Sequence, residues 1–91
     1  MSFLGHAPPS GFRLLLVVIP PGGERRCDTD EWREALVVIE RGSVELRTVG
    51  AGRLALPRGS VLSIDRLRRS RMHNRGGTAA ILAVVTRAPS P

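Results

Sequence analysis

Aromatic residues are almost absent from this chain, which has two phenylalanines, one tryptophan and no tyrosine among its 91 residues. Hydrophobic residues nevertheless make up 42% of the sequence, so an apolar core must be built from Leu, Val, Ile and Ala. A chain of this length forms one domain with one modest core. Because a second subunit adds stability by covering an apolar face, we expect a homodimer. The scarcity of aromatics also argues against single-stranded nucleic acid as a partner, since that binding relies on base stacking.

Cysteine and the usual export and membrane signals are equally scarce. Cys27 is the only cysteine, so no internal disulfide can form, and this fits a reducing compartment. Met1–Ser10 lacks the basic start of a secretory signal. The longest unbroken apolar run, Leu14–Ile19, is far shorter than the roughly 20 residues that a membrane-spanning helix needs. We therefore expect a cytoplasmic protein without a membrane partner.

Lysine is absent, and all fourteen basic residues are arginines. The net charge of +6 comes from the second half of the chain, because eight arginines and a single aspartate follow Gly50. A positive surface of this kind attracts anionic partners. The densest group lies between residues 66 and 75, and four of its members are candidate contacts to an anion: Arg66, Arg68, Arg69 and Arg71.

This arginine group has three interpretations. It contacts phosphates in a nucleic-acid module, it reaches an anionic small ligand through Arg68 and Arg71, or it forms a solvated edge. No helix-turn-helix or zinc-finger pattern supports the reading of bases. We favour the solvated edge and predict that DNA binding is at most weak and fades with salt, so nucleic acid is not expected as a partner.

Short apolar runs separated by Gly and Pro turns predict an all-β domain over residues 12–87, between an N-terminal arm (1–11) and a C-terminal tail (88–91). The run Ser43–Val49 alternates apolar and charged side chains, the pattern of a half-buried strand. Strands of this length joined by tight turns suggest a sandwich or barrel. The predicted strands are Phe12–Ile19, Ala35–Glu40, Ser43–Val49, Leu54–Leu56, Val61–Ile64, Ser70–Asn74 and Thr78–Thr86.

The segment 30–41 also fits a helix. Trp32, Leu36 and Ile39 are among its apolar residues at helical spacing, and Asp28 or Thr29 is placed to cap the helix at its start. The β-branched run Val37–Ile39 favours a strand instead. Periodicity alone leaves both alternatives open, and the all-β neighbours tilt the prediction towards a strand.

Two spaced patterns resemble the sequence motifs of the cupin family. The first motif, G-x(5)-H-x-H-x(3)-E-x(6)-G, begins at Gly23 and ends at Gly42, with both glycines in place. The second, G-x(5)-P-x-G-x(2)-H-x(3)-N, begins at Gly59 and ends at Asn74, and both of these residues match. The resemblance covers roughly residues 12–87 and implies a small jelly-roll β-barrel with an interior pocket.

The mismatches to the motifs fall on the residues that hold a metal in cupins. The three ligand positions of the first motif are occupied by Thr29, Glu31 and Ala35, and the histidine position of the second motif is occupied by Ser70. No imidazole remains at these positions. The resemblance therefore implies the scaffold without the metal, and we expect no cofactor. His73 has the opposite strand parity to Ser70, so we expect it to point outwards.

Strand parity and the motif alignment together predict which side chains line the pocket. The leading hypothesis is a metal-free cupin-like domain that binds a small molecule in its barrel. An alternative is an isomerase, epimerase or cyclase in which Glu31 is the acid–base group, because a carboxylate in an apolar pocket has a raised pKa. A further alternative is a module that binds an anionic partner through its arginines. The predicted pocket residues are Cys27, Thr29, Glu31, Arg33, Ala35, Ser70 and Met72.

Overall fold

The structure is a computed structural model, and it describes residues 10–27, 34–48, 52–63 and 70–87. These ranges contain strands, turns and bends but no helix. No part of them, in consequence, is a helix that is long and apolar enough to cross a membrane. The strands are β1 (Phe12–Ile19), β2 (Glu24–Arg26), β3 (Leu36–Arg41), β4 (Val44–Thr48), β5 (Gly52–Leu56), β6 (Val61–Ser63), β7 (Ser70–His73) and β8 (Ala80–Arg87).

The eight strands form two antiparallel sheets of four strands each. The first sheet has the order β1-β8-β3-β6, and the second has the order β2-β7-β4-β5. Strands that are distant in sequence are therefore neighbours, as β1 and β8 are along the whole of Phe12–Ile19. Two packed sheets with such crossovers make a jelly roll, and the prediction of an all-β barrel is confirmed.

All seven predicted strands are present, with ends that differ by at most two residues where the ends are described. Strand β2 was not predicted, because its three residues are polar and exposed and give no apolar alternation. The helical alternative is wrong over Leu36–Arg41, which is a strand paired with both β6 and β8. The remaining helix candidates, residues 28–33, lie outside the described residues, as do residues 1–9 of the predicted arm and all of the predicted tail.

The core lies between the two sheets and is aliphatic. Side chains alternate along each strand, so every second residue points into the core. Leu46 and Met72 are buried neighbours in the second sheet, and they pack against the buried side chains of Val37, Ile39 and Leu82 from the first sheet. This core positions the inward-facing residues at the ends of the strands, where the candidate site lies.

Candidate functional site

Two hydroxyl side chains meet on the inner face of the second sheet. Thr48 ends β4 and lies directly opposite Ser70, the first residue of β7. The parity of the strands points both inwards, because Leu46 and Met72, two residues away, belong to the core. The two hydroxyl oxygens are 3.3 Å apart, and either can donate the hydrogen bond. Ser70 is fully buried and Thr48 is half-buried, so Thr48 connects this hydroxyl pair to solvent.

Cys27 lies at the same end of the barrel. Its backbone N–H donates a 2.8 Å hydrogen bond to the Ser70 carbonyl, which extends the pairing of β2 and β7 by one residue. Its thiol forms no disulfide within the chain and is buried in the apolar core. The hydroxyl pair is therefore bordered by apolar surface, where a polar group of a ligand has few other partners in the described part of the interior.

Four of the seven predicted pocket residues are described, and all four are buried inside the barrel: Cys27, Ala35, Ser70 and Met72. Three of them belong to the apolar core cluster, and Ser70 supplies the hydroxyl. The other three, Thr29, Glu31 and Arg33, lie outside the described residues, so the candidate acid–base group Glu31 does too. Thr48 was not among the predicted pocket residues, although its inward parity with Val44 and Leu46 was visible in the sequence.

The described cupin metal positions do not fit a metal. Ala35 carries only a methyl group, and the Ser70 hydroxyl is engaged with Thr48. Metal sites need three or four converging nitrogen, sulfur or carboxylate ligands. No three His, Cys, Asp or Glu residues of ranges 10–27, 34–48, 52–63 and 70–87 lie close enough together to hold an ion. The reactions that cupins carry out through a metal therefore find no support in these residues.

The outer face of the second sheet is polar and charged, and His73 lies there. Its Nδ1 atom is 3.0 Å from Nη2 of Arg47. Because a guanidinium group can only donate, the Nδ1 atom is the acceptor in this contact. His73 is thus part of an outer polar network and does not face the hydroxyl pair.

Glu45 is the centre of that outer network. Arg47 Nε donates a 2.7 Å hydrogen bond to Glu45 Oε1, and Arg75 Nη1 donates a 3.1 Å hydrogen bond to Glu45 Oε2. These bonds hold the pKa of the Glu45 carboxyl below its ordinary value of 4.5. The bond from Arg47 has the largest effect, and the bond from Arg75 has the next largest. Glu45 is therefore ionised at neutral pH and fixes both guanidinium groups.

Of the four predicted anion contacts, only Arg71 lies in the described residues, and it is exposed on this outer face. Arg66, Arg68 and Arg69 lie outside them. The strand register places Arg71 in line with arginines of other strands, in the order Arg26, Arg71, Arg47 and Arg53. Alternation in Ser43–Val49 indicates that Arg47 faces outwards, but the pairing that brings the four together is not visible in a single sequence.

A depression of about 390 Å³ lies at the other end of the second sheet, away from the hydroxyl pair. The Glu45–Arg75 ion pair forms its charged side, and the other lining residues are mainly apolar. This depression was not predicted, because β4, β5 and the segment after β7 each supply only part of it. Its lining is Ser43, Val44, Glu45, Ala55, Leu56, Pro57 and Arg75.

Comparison with known proteins identifies the fold. No family matches the chain in sequence, and no curated protein does so either. Solved cupin structures match it in three dimensions. A sugar phosphate isomerase from a cupin superfamily of Silicibacter pomeroyi is 23% identical, with a TM-score of 0.69 over 94% of this chain and 55% of that one. This chain thus spans about half the length of the isomerase.

Two further cupin structures match over most of their own length. The Cupin_2 domain of an XRE family transcriptional regulator from Enterobacter cloacae is 13% identical, with a TM-score of 0.67 over 88% of this chain and 84% of that one. A cupin domain from Bordetella pertussis is 19% identical, with a TM-score of 0.61 over 91% and 88%. At these identities the likeness shows the fold, which is the small cupin jelly roll that the motifs predicted.

Proposed function

We propose that this chain, a small cupin barrel, binds a small molecule that carries hydroxyl or carbonyl groups at the Thr48–Ser70 hydroxyl pair. The observation that carries the proposal is the 3.3 Å contact between the two hydroxyls at the apolar inner end of the barrel. A polar group in such surroundings costs free energy unless it is hydrogen-bonded. A ligand that forms hydrogen bonds with the pair is therefore held by a few well-placed polar contacts. This arrangement is common in small-molecule sites.

The hydroxyl pair has hydrogen-bonding capacity to spare. Two hydroxyls supply two donor hydrogens, and the bond between Thr48 and Ser70 uses only one of them. The second donor and the remaining lone pairs suit an uncharged oxygen of a ligand. The half-buried position of Thr48 provides the approach from solvent, and Cys27, Ala35 and Met72 supply the apolar surroundings.

Native mass spectrometry of the freshly purified, untagged protein tests this proposal. We expect a bound organic molecule on the wild-type chain and its loss in Thr48→Val, which keeps the shape of the side chain but removes the hydroxyl. Thr78→Val is the matched control, because Thr78 is exposed in the turn between β7 and β8 at the other end of the barrel. A wild-type protein found only at the mass of its own sequence contradicts the proposal, and so does equal loss of ligand in both variants.

Isomerase-type catalysis is the second candidate, and the observation that favours it is the likeness to the sugar phosphate isomerase. In this reading Glu31 is the acid–base group. Glu31→Gln separates the two candidates: catalysis disappears in an enzyme, whereas a binding protein retains its ligand with lower affinity. The first candidate, a binding protein, is supported in turn by the likeness to the cupin domain of a transcriptional regulator.

We also propose that two copies of the chain pair through β1. Along this strand Val17 and Ile19 point into the core, while the alternate residues Leu16 and Val18 are 47% and 58% exposed. In the described residues β1 is an edge strand, paired only with β8. An exposed apolar edge strand is a template for pairing with another chain, and a symmetric partner is the commonest cover. We place the pair in a reducing compartment such as the cytoplasm, because Cys27 is the only cysteine of the chain and cannot form an internal disulfide.

A further inference from the structure

Four arginines form a row across the outer face of the second sheet. The register pairs Arg26 with Arg71, Arg71 with Arg47, and Arg47 with Arg53, so each strand of the sheet contributes one residue. Neighbouring strands lie about 4.8 Å apart, and the row therefore spans about 14 Å. We call these four residues the arginine row.

The arginine row is an electrostatic cost to the fold. Like charges directly opposite each other on neighbouring strands are destabilising, and the spacing of about 4.8 Å between neighbouring strands is shorter than the Debye length of about 8 Å at physiological salt. Two carboxylates offset part of this cost. Glu24 lies 3.5 Å from Arg47 and 3.7 Å from Arg71, and Glu45 lies 2.7 Å from Arg47 and 3.8 Å from Arg53.

The offset is incomplete. Glu45 is also shared with Arg75, so among the described residues of this face two carboxylates pair with four guanidinium groups. The side chains of Arg53 and Arg71 are 65% and 59% exposed. Each guanidinium has five N–H donors in a fixed plane, and a single contact to a shared carboxylate uses few of them. The face therefore combines excess positive charge with donors that its glutamates hold in place.

We propose that the arginine row binds an oligophosphate, a ligand with two or more linked phosphate groups. Arginine matches phosphate oxygens with paired hydrogen bonds, and linked phosphates place several negative charges within the length of the row. Nucleic acid fits less well: the described part of this face has no Phe, Tyr or Trp side chain for base stacking, and a sheet face does not enter a groove as a recognition helix does.

This oligophosphate site is independent of the hydroxyl pair. Arg71 follows Ser70 directly in β7, but successive side chains of a strand point to opposite faces of the sheet. Ser70 accordingly faces the barrel interior and is fully buried, whereas Arg71 is exposed. Loss of one site leaves the other in place, and the variants below leave Thr48 and Ser70 unchanged.

Isothermal titration with inorganic tripolyphosphate at physiological salt tests the proposal. We expect saturable binding by the wild-type chain and, in the double variant Arg53→Gln/Arg71→Gln, an affinity lower by on the order of tenfold. The control is Arg13→Gln/Arg87→Gln, which removes the same charge from two exposed residues of the first sheet. Its affinity should stay within about twofold of wild type, because distant charges are largely screened.

A variant that binds tripolyphosphate more tightly than the wild type shows that the changes in affinity do not arise from a damaged fold. Glu24→Gln frees donors of Arg47 and Arg71 and should tighten binding by about threefold, whereas Glu34→Gln, which adds the same charge at an exposed residue before β3, should not. Equal weakening in the two arginine variants overturns the proposal, since net charge alone then explains binding. The absence of saturable binding overturns it too, as does tighter binding of a mixed-sequence DNA duplex than of tripolyphosphate at the same salt.

Discussion

The side-chain amide of Asn74 donates a 2.9 Å hydrogen bond to the carbonyl of Ile19, a residue 55 positions earlier in the chain. The same nitrogen donates to the Thr78 carbonyl at 2.8 Å, and Asn74 Oδ1 accepts from the backbone N–H of Gly76 at 2.9 Å. Asn74 is 1% exposed. One side chain thus joins the end of β1 to the turn between β7 and β8.

Replacing Asn74 by Ala should lower the free energy of unfolding by about 2–3 kcal/mol, because it leaves the buried Ile19 carbonyl and the Thr78 carbonyl without the Asn74 donor. Urea unfolding followed by circular dichroism measures this change. Ser43→Ala, at an exposed residue between β3 and β4, serves as the control and should change stability little. A loss below about 0.5 kcal/mol in Asn74→Ala contradicts the structural role given to its three hydrogen bonds.

Two features of position 42 together require a glycine: the backbone angle φ and the close approach of Ala79. Gly42 has a φ of 72°, and a Cβ atom there would lie 3.0 Å from the Ala79 carbonyl oxygen. Gly52 has a similar φ of 81°, but a Cβ atom there would meet nothing within 4 Å. An alanine at either position costs about 1–2 kcal/mol for the left-handed backbone, and overlap adds about 1 kcal/mol or more at Gly42.

The pair Gly42→Ala and Gly52→Ala separates these two effects. Thermal unfolding should show a lower Tm for both variants, with the larger decrease for Gly42→Ala. If the two decreases are equal, the contact with Ala79 makes no contribution and the backbone angle alone explains the glycine.

These two residues show why the motifs identified the fold better than the site. Gly42 and Asn74 are cupin motif residues that the chain retains, and both serve the fold itself: Gly42 through its backbone angle and its close approach to Ala79, and Asn74 through its hydrogen bonds to Ile19 and the following turn. The ligand positions Ala35 and Ser70 differ from the motifs, so the alignment says which groups are missing there. The alignment does not indicate that the Ser70 hydroxyl pairs with the hydroxyl of Thr48.

The outer face was less predictable for a related reason. Alternation within Ser43–Val49 indicates that Glu45 and Arg47 face away from the core. The arginine row, however, depends on which strands are neighbours, and β2, β7, β4 and β5 are not in sequence order within their sheet. A sequence cluster such as Arg66–Arg75 therefore suggested a charged surface but named only one member of the row, Arg71.

The proposed dimer predicts a selective effect of charge on β1. Leu16→Asp should convert the dimer to a monomer, because it places a carboxylate in the proposed apolar interface. Leu54→Asp makes the same change at a residue that is 57% exposed on the second sheet, and this variant should remain dimeric. Light scattering at micromolar concentration measures both, and a monomeric wild-type chain contradicts the proposal.

We also predict that the purified protein holds no stoichiometric transition metal. At the described cupin positions, Ala35 has no ligating atom and Ser70 offers only a neutral hydroxyl, which binds such ions poorly. Elemental analysis of protein expressed without a metal-binding tag should give a metal-to-chain ratio near zero. A ratio near one that is lost in His73→Ala would show that the motif alignment is wrong at the metal-ligand positions. His73 lies on the outer face of the second sheet in this structure, so it would have to turn inwards to hold a metal in the barrel.

The central claim is that the Thr48–Ser70 hydroxyl pair is where a small molecule binds inside the barrel. The most direct test is a crystal structure of the protein as purified, without added ligand. We predict electron density for an organic molecule with an oxygen atom within hydrogen-bonding distance, about 2.5–3.0 Å, of the Thr48 or Ser70 hydroxyl. A barrel in which these hydroxyls contact only each other, protein atoms and water would contradict the claim.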